Sequence, residues 1–141
     1  MKTGKPSSKA VAVSKAEKIK KFDPNGVALE SANIFGLLFT AEEAEVVLIP
    51  VPWEATVSYG SGTAHGPEAI YESAAQVDLF HPEFPELWKA GVYMLPVNEG
   101  WKKKSKSLRK NVSKIIDALS KEKKIDKDPS LKKMLAEVNK G

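Results

Sequence analysis

An α/β fold built on a parallel sheet and followed by amphipathic helices is the class this sequence predicts. Three observations point to it. Val46, Val47, Leu48 and Ile49 form an unbroken apolar run rich in β-branched residues, the pattern of a parallel strand covered on both faces. Ala90 to Leu95 reads as a second strand, with a helical segment between the two, so the order is strand, helix, strand. From Ser107 onward the period turns helical, and Leu108, Val112, Ile115, Ile116 and Leu119 share one apolar stripe.

Taken in order, residues 1–21 are dominated by Lys, Ser and Ala, and read as a basic flexible tail that lacks the apolar content to order itself. Asp23-Pro24-Asn25-Gly26 is a turn sequence, because proline presets φ and Asn-Gly tolerates positive φ. Ile34 to Phe39 is a short apolar arm. Thr40 with Glu43 matches a capping box over a brief turn. The first strand follows, and Pro50 and Pro52 end it, since proline cannot donate to a sheet ladder. A loop bearing Gly60, Gly62 and Gly66 leads to Pro67, which suits a first helical position. Ala69, Ile70, Ser73, Ala74 and Val77 then recur at helical spacing, a small-residue face suited to packing on a sheet.

Pro82 and Pro85 keep the connection after this helix irregular. Pro96 closes the second strand. Lys121 to Lys127 is a charged break between two amphipathic helices. In the later helix Asp128 reads as the N-cap, Pro129 as the first residue, and Leu131, Met134, Leu135 and Val138 as the apolar stripe.

Composition narrows the function classes. No apolar run approaches the roughly 20 residues that span a bilayer. The lysine-rich start has no apolar h-region behind it, so it does not read as a secretory signal. The chain has no cysteine, which excludes disulfides, thiolate metal sites and a cysteine nucleophile. A cytoplasmic location fits these features. The net charge of +4 divides sharply into +6 for residues 1–21, −11 for residues 22–99 and +9 for residues 100–141. Basic ends folding back on an acidic centre account for this division. Nucleic acid is disfavoured as a partner, because no aromatic residue interleaves with the lysines.

The loop Gly60-Ser61-Gly62-Thr63-Ala64-His65-Gly66 leaves a strand and enters a helix, where backbone N–H groups can hold an anion. However, His65 stands where the dinucleotide fingerprint needs glycine, and no Gly-Lys-Ser/Thr follows as in a P-loop. His65 has two readings, a substrate contact or a cap on the following helix, and the cap is favoured. Asp78 and His81 lie three apart, but Pro82 adjoins His81, and a catalytic zinc wants three protein ligands. Glu54 beside Trp53 reads as a buried acid without a base or nucleophile near it.

VLIPVPWEATVSYGSGTAHGPEAIYESAAQVDLF resembles the opening strand, loop and helix of the arginase/agmatinase (ureohydrolase) family. NIFGLLF (Asn33 to Phe39) and WKAGVYMLPVNEGW (Trp88 to Trp101) are similar to agmatinase-like members as well. Leu38 stands where that family carries a proline. The resemblance implies that residues 22–141 are the incomplete N-terminal part of a three-layer α/β domain with a parallel sheet. It further implies that Tyr59, Gly60, Gly62, Thr63, His65 and Gly66 border substrate access at the carboxyl edge of the sheet, with a purely structural role for the glycines as the equal alternative.

The family hydrolyses guanidino C–N bonds with hydroxide held between two manganese ions. Its ligand segments, Gly-Gly-Asp-His and Asp-x-His-x-Asp, are absent from these 141 residues. Asp126-Lys127-Asp128 matches a third segment, Asp-x-Asp, in spacing alone. The expectation is therefore a fragment of a manganese-dependent hydrolase acting on a small guanidino substrate, with no catalytic residue, no metal and no activity of its own. Its partners would be further copies of itself or the remainder of the enzyme, and no membrane. Two alternatives stand: a non-catalytic interaction module, and a binder of nucleic acid or an acidic partner through the basic helices.

Overall fold

A computed structural model describes residues 13–57 and 60–140. Helix α1 spans Lys15–Lys21 and starts at a capping box, with Glu17 donating its backbone N–H to Ser14 Oγ at 3.4 Å and Ser14 donating its own to Glu17 Oε2 at 3.1 Å. Composition alone does not predict this ordering. The rest of the expected tail, residues 1–12, lies outside the described residues.

Two lysines of α1, Lys15 and Lys18, fold back on the acidic centre. Lys15 Nζ donates to the Ala90 carbonyl at 2.8 Å and stands 5.5 Å from the Phe39 ring centre. Lys18 Nζ meets Glu43 at 2.6 Å, and Phe22 packs against Trp88 with ring centres 4.8 Å apart. Glu43 also accepts the Thr40 backbone N–H at 2.8 Å, as the capping pattern predicts.

Strand β1 (Val46–Leu48) pairs in parallel with β2 (Val92–Met94), in the register Val46 to Val92, Val47 to Tyr93 and Leu48 to Met94. Between them lies α2 (Gly66–Ala74), with proline in its first turn. The arm is a turn at Ile34–Gly36 whose Ile34 and Leu37 are each only 1% exposed. Phe35 (φ 60°) and Gly36 (φ 71°) both take positive φ there, which lets the turn reverse and send Asn33 toward β2.

Two expectations fail. β1 is not covered on both faces, since Val46, Val47 and Ile49 are 47%, 40% and 65% exposed. Two strands cannot supply the layers that such a run needs. Likewise α2 buries Ala74, whereas Ala69, Ile70, Ser73 and Val77 are exposed. The sheet is too narrow to cover that face.

The second strand is followed at once by α3 (Glu99–Ser120), capped by Asn98, whose Oδ1 accepts the Trp101 N–H at 3.0 Å. It thus begins eight residues before the predicted Ser107. Its buried side is Ser105, Val112, Ile115 and Ala118, with Ile116 and Leu119 exposed at its margin. Helix α4 (Pro129–Lys140) begins as predicted, with Asp128 Oδ1 accepting the Ser130 and Leu131 N–H groups at 2.9 and 3.2 Å.

The interior falls into two clusters. Ile34, Ala74 and Met94 gather Phe35, Leu48 and Val92 around the sheet. Ile115, Ala118 and Leu131 gather Met134, Leu135 and Val138 between α3 and α4. No helix among the described residues is long and apolar enough to cross a membrane.

Candidate functional site at the carboxyl end of the strands

The loop after β1 is held by one carboxylate and one helix. Glu54 Oε2 accepts the N–H of Gly62 at 2.6 Å and of Ala64 at 3.3 Å. These two bonds, helped by the charges of Arg109 and His65, hold the Glu54 carboxyl below the ordinary glutamate range. The Glu54 N–H donates in turn to Ser105 Oγ at 2.9 Å, and Ser105 is fully buried. Arg109 on α3 donates to the Val57 carbonyl. Glu54 is therefore half-buried and spent on backbone donors rather than a buried acid in search of a base.

The expected loop residues take distinct places. Gly60 and Gly62 are exposed at φ 30° and 128°, conformations that glycine adopts without strain. Thr63–His65 is a single tight turn running into α2 at Gly66. Tyr59 lies outside the described residues. The anion-cradle geometry is present in part, yet its donors face the chain's own carboxylate.

His65 occupies the N-cap position of α2 but makes no side-chain cap, contrary to the favoured reading. Its Nδ1 lies 3.1 Å from Glu68 Oε2 instead. The other oxygen of Glu68 takes Lys102 of α3, and that ammonium, then His65, holds the Glu68 carboxyl below its usual range. The same contact raises the Lys102 ammonium. Asp78 and His81 do not meet: Asp78 Oδ1 accepts the Phe80 N–H at 2.8 Å and His81 Nδ1 that of Glu83 at 3.3 Å. Among the described residues, no three of the His, Asp and Glu side chains converge as metal ligands would.

Beside Glu68 opens a cleft of about 410 Å³ between α2 and the carboxyl end of β2. Pro67, Tyr71 and Glu72 form one wall, and Tyr93, Leu95 and Val97 the other. Ligand sites of open α/β sheets lie at this edge. The loop reaches the cleft through Pro67 and Glu68. Sequence reasoning missed Lys102, Ser105 and Arg109, which hold this edge from α3. They carry no local signal, since their partners are 34 to 52 residues away.

Comparison with known proteins finds a short stretch of likeness to a ureohydrolase. The chain is similar to N(1)-aminopropylagmatine ureohydrolase from Synechocystis sp., at 46% identity over 41 residues, which are 29% of this chain and 13% of that enzyme. The match thus spans a small part of the relative's length. No family model matches the chain, and no solved structure matches it.

Proposed function

We propose that this chain is the N-terminal part of an agmatinase-like ureohydrolase, whose complete form hydrolyses the guanidino C–N bond of a small cationic substrate. The 46% identity over 41 residues to a ureohydrolase carries this reading. The strand, glycine loop and helix order supports it, and so does the sparse cover on β1, which has room for the further strands of a three-layer fold. In such an enzyme manganese would activate the attacking water. The described residues do not fit a manganese site, so no step of that chemistry belongs to them. Their part is structural: Glu54 sets the loop, and Glu68 with Lys102 sets the rim of the cleft.

The test is a chimera. Residues 22–101 of this chain replace the corresponding segment of the Synechocystis ureohydrolase, and urea release from aminopropylagmatine is measured with added Mn²⁺. Activity near that of the parent is expected. A folded, manganese-loaded chimera without urea release would refute the reading. The unextended chain should retain no stoichiometric manganese after dialysis.

A further inference from the structure

We propose that the exposed lysine stripe of α3 docks on the acidic centre of a second copy of this chain. The helical period sets Lys103, Lys106, Lys110 and Lys114 on one side of α3, with Lys121 following at its C-cap, all exposed. From first to last they span roughly 27 Å. The opposite side buries Ser105 and Val112 and sends Lys102 and Arg109 to the body. The stripe therefore points away from its own acidic centre and cannot close on it within one molecule.

Basic groups that do face the body find partners there. Lys18 reaches Glu43, and Lys102 reaches Glu68. Of the stripe, only Lys121 makes an ion pair among the described residues, with Asp117. A complementary surface exists on the same chain, whose residues 22–99 carry a net charge of −11. Two depressions flank Ala32 and Asn33, one bearing Glu42 and the other Glu30 and Glu72, all three exposed. Docking of α1 shows that this centre accepts a lysine-bearing helix. Each copy offers both surfaces, so a twofold arrangement satisfies two stripes at once.

The stripe suits other polyanions less well. It has no aromatic side chain on which single-stranded bases would stack. It also has no apolar side chain among its lysines for a membrane surface, because the exposed Ile116 and Leu119 lie on the opposite side of α3.

Sedimentation of the full chain tests the proposal. Association is expected at about 0.1 M salt and should weaken about tenfold or more toward 1 M, as the Debye length falls from roughly 10 Å to roughly 3 Å. The doubly substituted K106E/K110E protein and Glu72→Lys should each weaken it about tenfold, and mixing the two should restore a heterodimer. These positions are exposed, so the variants are expected to fold, which circular dichroism checks. A monomer at all salt concentrations overturns the proposal. So does an association that persists at high salt, or binding of a labelled DNA duplex by a protein that stays monomeric.

Discussion

Asn33 is bonded to Met94 twice: the Met94 N–H donates to Asn33 Oδ1 at 2.6 Å, and Asn33 Nδ2 donates to the Met94 carbonyl at 3.2 Å. A side-chain amide thus stands where a third strand would pair with β2. It closes that edge of the sheet with one residue and leaves the edge of β1 open.

Asn33→Ala should lower the stability of the chain by roughly 1–3 kcal/mol, because it leaves two backbone groups of the buried Met94 without their amide partners. Urea denaturation measures the change. A midpoint within error of the parent would show that water replaces the amide at no cost.

Glu54 makes the loop sensitive to acid. Its folded-state pKa lies below its unfolded one, so between the two the unfolded chain binds more protons. The stabilisation is complete above the unfolded value and is lost as pH falls through the folded value. Acidification should lower the hydrogen-exchange protection of Gly62 and Ala64, taken relative to the intrinsic rate at each pH, and Glu54→Gln should reproduce that loss of protection near neutrality. Unchanged exchange in the variant would mean that the carboxylate does not hold the loop.

The end of α3 carries a removable strain. Glu122 takes φ 56° while its N–H donates to Leu119 and that of Lys123 to Ala118, the double closure in which glycine is usual. Glu122→Gly should stabilise the chain by about 1 kcal/mol. Thermal denaturation of the two proteins would show this, and a lower transition temperature for the glycine variant would contradict it.

Gly91 is constrained from two sides. It has φ 84°, and a Cβ there would stand 3.0 Å from Phe39 Cδ2 and 3.2 Å from the Ala44 Cα. Gly91→Ala should cost about 2 kcal/mol or more. Phe39→Leu in the same chain should recover part of the loss, by relieving the ring contact but not the φ. Equal stability of Gly91→Ala and parent in denaturant would refute this.

Much of the backbone plan was legible in the residues. The two strands, Pro67 in the first turn of α2 and the Asp128–Pro129 start of α4 each rest on local chemistry within a few positions. The start of α3 was not, because Gly100 and the run Lys102–Lys104 hide its apolar period. Exposure of Val46 and Ile49 was illegible for another reason, since an apolar run reports what a strand needs and not what neighbours it has. The site was legible least. His65 and the glycines marked the loop, but the fates of Glu54, Ser105 and Arg109 depend on partners that meet only through the fold.

That dependence has a consequence in time. Glu54 and Val57 are tied to α3 across 51 and 52 residues of chain, and Asn33 to Met94 across 61. Contacts so distant carry a large loop-closure entropy and form late. A chain emerging from the ribosome therefore exposes its glycine loop well before Ser105 and Arg109 arrive to fasten it. Until then the Glu54 N–H and the Val57 carbonyl are hydrated, and the cleft has only one finished wall. The loop takes its final shape only once α3 has followed it out.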